Sequence, residues 1–534
     1  MRHRKRAAAG LKVEFVPHRA PATISNNAGG DMDSAKVYQL IAMGIYTFIM
    51  ILLGFLAYRR TKNLDDYVLG GRGLGPFVAA LSVGASDMSG WLLMGLPGAI
   101  YASGLIEGWI AVGLTIGAWV NWKVTAPRLR AYTEVSADSI TIPSYLESRT
   151  KDTTRIIRIV AGLIILAFFT FYVSSGLVAG GVFFESSFGM EYQWGVLFVG
   201  GVVVIYTLLG GFLAVSWTDV VQGVMMVTAL VLVPIVGVIH LGGFGNMGRA
   251  IRQVDPAILS PIGDVSVFGW ASVITIISAL AWGLGYFGQP HILVRFMAIR
   301  TAKEATAGRR YGITWMILSV LGAGMTALVG VAVYQHDSAK LPDPESVFIS
   351  LSQLLFHPLI AGFWLAAILA AIMSTISSQL LVTSSALVED IYHIFSTRNI
   401  RSGLGMWLGR AAVLLVALVG GLLAWQQNDT ILALVAFAWA GFGASFGPVV
   451  LLSLYWKKLT SYGTLAAMVV GAVTVAIWGN ISGGIFNLYE ILPGFLLALI
   501  AGVLVSLATH KHNEDIHSEF ESVREAMSLI TGIE

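Results

Sequence analysis

One acidic residue lies near the middle of a long apolar segment. Asp87 stands in the sequence GASDMSGW (84–91), within an apolar stretch from about residue 76 to residue 102 that is long enough to cross a bilayer. A carboxylate at that depth costs several kcal/mol unless a cation, a proton or hydrogen-bond donors compensate it. Its Gly and Ser neighbours weaken the helix, which frees backbone carbonyls. The segment therefore predicts a cation site inside a membrane, the alternative being an acid bonded to polar helix neighbours.

A second polar group falls in the apolar segment around residue 370. Ala371, Ser374, Thr375 and Ser378 follow an i, i+3, i+4, i+7 spacing, which places them on one helical face. Neutral hydroxyl and carbonyl oxygens can replace the hydration shell of a small cation. The spacing indicates a sodium site, although small polar residues also serve as packing contacts between membrane helices.

A third group combines aromatic residues with helix breakers. Trp282, Tyr286 and Gln289 share one face at i, i+4, i+7, while three glycines and Pro290 interrupt the same segment. An unwound segment at membrane depth is tolerated where it lines a cavity or is buried in protein. Aromatic faces beside free backbone groups suit a small zwitterion with an apolar ring or chain, and Tyr172 adds a polar wall. Plain aromatic packing is the alternative.

The composition is that of a polytopic membrane protein. Of 534 residues, 56% are hydrophobic and 12% are charged, and the mean hydropathy is +0.76. Soluble domains carry about 25% charged residues. The net charge of +3 is small and spread over short loops, so nucleic acid is not expected as a partner. The chain has no cysteine and no His-x-x-x-His pair, which argues against thiolate metal sites and a metal-dependent enzyme.

Thirteen apolar segments are long enough to span a bilayer. They are centred near residues 48, 88, 116, 170, 202, 229, 280, 322, 370, 415, 442, 472 and 499. The loops after odd-numbered spans hold most of the Lys and Arg, Arg295 among them, whereas Asp219 and Glu490 are interpreted as lying near span ends. By the positive-inside rule the N-terminus is outside and the C-terminus inside.

The two ends of the chain are polar. Residues 1–31 begin with a strongly basic stretch on the side predicted to be outside, and Met32 looks like a more natural start. We interpret 1–31 as a disordered extension or a mis-assigned start. At the other end, residues 510–534 form a polar cytoplasmic tail in which 518–530 predicts a short amphipathic helix, interpreted as a solvated end.

The second and seventh spans are both interrupted, and five spans separate their beginnings. That spacing predicts two repeats of five helices, each opening with a broken helix. Because five is odd, the repeats are inverted with respect to the membrane. The first repeat covers 76–241 and the second 242–456, leaving 32–75 and 457–509 as peripheral spans.

Several motifs, in order along the chain, resemble the sodium/solute symporter family, most closely its sodium/proline symporter branch. They are LGGR (69–72), GASDMSGW (84–91), YTLLGG (206–211), SWTDVVQ (216–222), WGLGYFGQP (282–290) and AIMST (371–375). The resemblance runs from about Met32 to the last span. It implies an all-α, LeuT-like 5+5 inverted repeat that moves its substrate by alternating access.

The resemblance also implies residue roles. Sodium is held by the carbonyls of Ala85, Met88 and Ala371 and by the hydroxyls of Ser374 and Thr375. Asp87 and Arg72 act in coupling. The residues implied at the substrate are Ser89, Gly90, Trp91, Tyr172, Trp282, Tyr286, Gln289 and Pro290.

From these observations the expected function is import of L-proline with sodium across a bacterial inner membrane. The expected partners are L-proline, sodium as coupling ion and the lipid bilayer, with no organic cofactor and no obligate protein partner. A relative carrying another organic solute, or one driven by protons, is the nearest alternative. A membrane sensor built on a transporter core is an alternative of another class.

Overall fold

The computed structural model describes residues 28–58, 70–335, 340–388, 402–427 and 429–531. Within these ranges the regular elements are helical. In chain order, the α-helices are α1 (Ala28–Tyr58), α2 (Pro76–Asp87), α3 (Trp91–Ser103), α4 (Trp109–Val124), α5 (Ala126–Val135), α6 (Ile142–Thr150), α7 (Ile156–Phe188), α8 (Tyr192–His240), α9 (Phe244–Val254), α10 (Trp270–Ala281), α11 (Pro290–Ala298), α12 (Ala305–Tyr334), α13 (Val347–Leu355), α14 (Pro358–Ser385), α15 (Ser402–Leu423), α16 (Ile431–Tyr455), α17 (Ser461–Trp478), α18 (Ile491–Thr509) and α19 (Glu514–Thr531).

Nine helical segments in the described ranges are long and apolar enough to cross a membrane, and the bent pair α2 and α3 makes a tenth. The predicted segments near 116, 202 and 415 correspond to shorter helical stretches, namely α4, the part of α8 at Tyr192–Ile205, and the part of α15 at Trp407–Leu423. The chain is therefore a multi-pass membrane protein. The basic start and most of the loop after α1 lie outside the described residues.

Glycine separates two of the predicted spans within α8. Gly211 has φ 58° and ψ −157°, a conformation that a side chain would disfavour, and the helix breaks there. The apolar segments near residues 202 and 229 are therefore distinct, as predicted. The helices that contain them meet at Gly211, with no loop between them.

The broken segments α2–α3 and α10–α11 lie in the interior. The helix α2 packs against α8, α12 and α11, while α14 packs against α8, α1 and α7. The turn Trp282–Gly288 between α10 and α11 packs against α16 and α4. Close approach depends on glycine here, because a Cβ on Gly288 would collide with the backbone of Phe442. Both interruptions are buried in protein, as their backbone groups require.

Short helices cover one face of the bundle. Arg72 precedes α2 at this face, where α5 packs against α11 and α19 packs against α5. Leu74 and Ile299 form a bridge that ties the start of α2 to the end of α11. We call this side, defined by Arg72, α5, α6 and α19, the basic face.

Candidate functional site

The first interruption sets Asp87 at the end of a half-helix. The helix α2 ends at Asp87, Met88 has φ −85° and ψ 81°, and α3 leaves at an angle of 64°. Gly90 faces a tight contact, since a Cβ there would lie 2.9 Å from the Cβ of Ala179 and 3.1 Å from Ile372. The small residue lets the break pack against α7 and α14. The interruption of the helix predicted around Asp87 is confirmed: it is the bend between α2 and α3.

Asp87 is buried, with 2% of its surface exposed. Its Oδ2 accepts a hydrogen bond from the hydroxyl of Tyr286, and its backbone carbonyl accepts one from Nε1 of Trp91 at 3.3 Å. The other carboxylate oxygen, Oδ1, has no hydrogen-bond partner among the described residues. Asp87 thus joins the two interrupted segments and keeps one oxygen free for a ligand.

The residues predicted to hold a cation come together from α2 and α14. The hydroxyl of Ser374 donates to the carbonyl of Ala85 at 2.6 Å and to the carbonyl of Ala371 at 3.1 Å. The hydroxyl of Thr375 is buried without a partner. Met88 is buried at the bend, directly after Asp87. Carbonyl and hydroxyl oxygens in such a group form a donor set suited to a hard monovalent cation.

Aromatic rings surround Asp87. Trp282 lies with ring centroids 6.4 Å from Trp91 and 6.5 Å from Trp439, while Tyr286 meets Trp439 edge-on at 5.1 Å. Tyr489 completes the group at 5.3 Å from Trp282. Sequence reasoning missed Trp439 and Tyr489, because their closeness to Trp282 is a contact between segments distant in the chain.

The remaining predicted substrate residues are all buried. Nε2 of Gln289 donates to the carbonyl of Trp439 at 3.1 Å, while its Oε1 has no partner. The hydroxyl of Tyr172 also lacks a partner, and its ring meets His291 edge-on at 6.0 Å. Pro290 begins α11, and Oγ of Ser89 accepts from the backbone N–H of Trp91 at 3.5 Å. The structure therefore gathers these residues around the two interruptions.

Space around the site differs on its two sides. A vestibule of about 370 Å³ reaches down to Trp282 and carries Glu107, Tyr489 and Glu490 on its wall. Burial raises the pKa of both carboxyl groups. Beside Asp87, Tyr286 and Met316 a cavity of about 20 Å³ remains, which is room for about one water molecule. The space at Trp282 is thus much larger than the space beside Asp87.

Arg72 lies apart from this group, at the basic face. It forms an ion pair with Asp138 at 2.7 Å and donates to Thr133, to the carbonyl of Ser139 and to the carbonyl of Met297. These contacts tie the start of α2 to α5 and to α11. Arg72 does not contact the residues around Asp87.

The sequence interpretation did not foresee a buried ion pair. Asp219, interpreted as lying near a span end, and Arg295, assigned to a basic loop but found in α11, are both buried and pair at 3.0 Å. Ser82 donates to Asp219 at 2.6 Å and accepts from Arg295 at 2.7 Å, and Arg295 also donates to Ser378. Charge counting assigned Arg295 to a loop. The apolar residues on both sides of it were the signal for burial.

This pair lies one helical turn from the cation group. Ser82 precedes Ala85 by three residues on α2, and Ser378 follows Ser374 by four on α14. In the described ranges the contact of Ala85 with Ser374 and the pair of Asp219 with Arg295 therefore mark two successive polar layers along α2 and α14. The second layer carries its own compensating cation, whereas the first does not.

Comparisons with known sequences assign the chain to one family. The model of the sodium:solute symporter family matches residues 67–471. The chain is 56% identical over 479 residues to the high-affinity proline transporter PutP of Bacillus subtilis, covering 90% of this chain and all of that protein. It is 49% identical over 496 residues to a sodium/proline symporter of Staphylococcus aureus, covering 91% and 95%. A solved sodium-coupled sialic acid symporter shares the fold, with a TM-score of 0.74, 21% identity and coverage of 89% of this chain and 99% of that one.

Proposed function

Because the chain belongs to the sodium:solute symporter family, we propose that it imports L-proline together with sodium by alternating access. The similar proteins of two bacteria are named for proline transport, and one of them for sodium/proline symport. The family is one of sodium-coupled transporters rather than enzymes. The expected cell location is a bacterial inner membrane.

One observation carries the proposal most directly. Asp87 is a buried carboxylate at a helix break, with one oxygen bound by Tyr286 and the other without a partner. Its neighbours are the carbonyl of Ala85 with the hydroxyl of Ser374, and the aromatic residues Tyr286 and Trp91. A buried acid in a membrane protein that lacks a paired cation is poised to bind one.

In this proposal sodium binds between α2 and α14. Ala85, Met88 and Ala371 supply carbonyl oxygens, and Ser374 and Thr375 supply hydroxyls. The hydrogen bond from the hydroxyl of Ser374 to the carbonyl of Ala85 supports this placement, because it holds the two oxygens side by side. A cation that binds between these oxygens replaces the hydrogen bond. Asp87 compensates the added positive charge and couples the ion to the neighbouring substrate.

L-proline binds at the two interruptions. Its ring has no polar group, so recognition depends on aromatic contact and on hydrogen bonds to its ammonium and carboxylate. Trp91, Trp282 and Tyr286 offer the rings. The residues proposed to complete this substrate site are Ser89, Gly90, Tyr172, Gln289 and Pro290. Arg72 acts at a distance, by holding the start of α2 against α11.

We propose thirteen membrane spans with the N-terminus outside and the C-terminus inside, so that the basic face is cytoplasmic. Residues 76–241 and 242–456 then form inverted repeats. The likeness in fold to solved symporters supports this arrangement, and so does the pairing of two interrupted helices in the interior. The vestibule above Trp282 then opens to the outside.

The sodium gradient is sufficient for accumulation. One sodium ion crossing ~100 mV releases about 2.3 kcal/mol, and a tenfold concentration ratio adds about 1.4 kcal/mol. The sum sustains a proline gradient of roughly 500-fold per ion.

The test is uptake of labelled proline by proteoliposomes of the purified full chain. Uptake should require an inward sodium gradient, and unlabelled proline should compete better than other amino acids. Uptake driven by protons alone, or stronger competition by another solute, would reject sodium coupling or proline respectively. A protein that binds proline without moving it would support the sensor alternative.

A further inference from the structure

His291 is a buried residue that the proposed mechanism does not use. It is the second residue of α11, with 0% of its surface exposed, and neither Nδ1 nor Nε2 has a hydrogen-bond partner among the described residues. A neutral imidazole carries one donor and one acceptor. Burying both without partners destabilises the fold, so such a group calls for a physical explanation.

The surroundings of His291 are aromatic. Its ring meets Phe169 edge-on with centroids 5.6 Å apart, and it meets Tyr172 edge-on at 6.0 Å. Tyr172 is one of the predicted substrate residues, and its hydroxyl is itself without a partner. Two buried polar groups without partners thus lie side by side, one on α7 and one on α11.

The neighbours of His291 on α11 line a small cavity next to α6, on the side of the basic face. This cavity, of about 20 Å³, is lined by Ile165, Pro290 and Val294 together with residues of α6 and α14. Tyr172, Phe169 and Ile165 occupy successive turns along α7, and Pro290 and Val294 flank His291 on α11. His291 therefore lies between the substrate group and this cavity.

We propose that His291 and Phe169 form the inner barrier on the route from the substrate site to the basic face, and that the His291 ring binds the carboxylate of the passing amino acid. The proposal rests on the proposed function, since it names the path of the same substrate. In the closed state the two rings fill the path. When α7 and α11 part, the ring nitrogens become available.

The chemistry favours the carboxylate over the ammonium group. Arg295 lies one turn further along α11 and donates to the backbone carbonyl of His291 at 2.5 Å, so a guanidinium lies within one helical turn of His291. Asp87 carries the negative charge of the candidate site and keeps one carboxylate oxygen without a partner. The negative charge of Asp87 attracts the ammonium group of a bound amino acid. The carboxylate of the amino acid is then directed towards His291.

The test compares binding with transport in His291→Phe, which keeps a ring against Phe169 and Tyr172 but removes both nitrogens. Sodium-dependent binding of labelled proline should stay within about threefold of wild type, while net uptake and proline exchange fall by about tenfold or more, as expected for a lost hydrogen bond to a charged group. His291→Gln should recover part of the rate. His357→Asn, at an exposed helix cap, is the control and should transport normally.

Two results would overturn the proposal. Wild-type uptake by His291→Phe would mean that the ring only packs, with water on its nitrogens. Loss of binding in step with transport would move His291 into the substrate site itself. Absence of sodium-dependent proline binding in the wild type would instead reject the proposed function. Because this result comes from the wild type alone, it is distinguishable from a failure of the His291 proposal.

A second measurement is independent of the folding of His291 variants. Because the natural chain has no cysteine, Val294→Cys introduces one thiol into the small cavity. A membrane-impermeant maleimide applied from the basic face should label it faster with sodium and proline present than with sodium alone. Equal labelling under both conditions would contradict a route through this cavity.

Discussion

At the scale of single residues, the site depends on polar atoms that are buried and left without partners. Oδ1 of Asp87, Oγ1 of Thr375 and the hydroxyl of Tyr172 are all of this kind. Unpaired buried groups are costly for stability. These three atoms come from segments that pack around the two helix breaks, which supports the ligand site that we propose there.

Replacing Asp87 with Asn should abolish sodium-driven proline accumulation while membrane insertion stays intact. The change removes the negative charge that compensates a cation, but it does not reduce the hydrophobicity of the span. The measurement is proline uptake in proteoliposomes at matched protein content. Near-normal accumulation by Asp87→Asn would remove this residue from the coupling mechanism.

Replacing Ser374 or Thr375 with Ala should raise the sodium concentration for half-maximal uptake, since each change deletes one oxygen from the proposed sodium shell. Proline affinity at saturating sodium should change much less. Thr383→Ala is the matched control, because the Thr383 hydroxyl bonds within its own helix, two turns away. An unchanged sodium dependence in both test variants would assign these hydroxyls to packing.

Tyr286→Ala or Trp282→Ala should weaken proline binding by roughly 1 to 3 kcal/mol, the range for losing a buried aromatic contact or leaving a polar partner unpaired. Sodium binding measured without proline should survive. Phe171→Ala, on the exposed side of α7, serves as the control. Variants that bind proline normally but lose sodium would reject the aromatic residues as the substrate site.

At the scale of elements, α2 and α14 are held together by two polar layers of different character. One contains Ala85 and Ser374. The other contains Asp219 and Arg295, which form an ion pair and also bond Ser82 and Ser378. A paired buried charge specifies how helices fit together, and breaking such a pair costs more than the pair contributes.

Removing one member of that pair should therefore be worse than removing both. Asp219→Ala or Arg295→Ala leaves an uncompensated buried charge and should destabilise the fold by about 3 to 5 kcal/mol. The double variant should recover much of this loss. Thermal unfolding in detergent measures the effect. A double variant less stable than either single one would show that the two residues act independently.

At the scale of the whole molecule, the C-terminal helix belongs to the folded body. The interpretation of the tail as a solvated end was wrong for one face of α19, where Val523 and Met527 are buried and Glu519 pairs with Lys151. Phe520 covers the guanidinium of Arg149, whose Nε donates to the carbonyl of Ser453 at the end of α16. The tail thus closes the contact between α5, α6 and α16.

Deleting residues 514–534 should lower thermal stability, because it removes the buried contacts of Val523 and Met527 and exposes the buried Arg149 to solvent. Burial of each large apolar side chain contributes about 1.5 to 3 kcal/mol. Leu529→Ala is the control, since Leu529 is 87% exposed and should leave the melting temperature unchanged. A truncated chain that melts like the full chain would show that the tail packs without stabilising the body.

The sequence by itself determined the class of the protein, its interrupted segments and the residues of the candidate site. Hydropathy, helix breakers and helical spacing are local properties, so Asp87, the Ser374 face and the Trp282 face were all visible in it. Long-range partners were decided by the tertiary structure. Trp439, Asp219 and His291 owe their places to helices distant in sequence, and a count of charges or apolar residues along the chain carries no record of which helices meet.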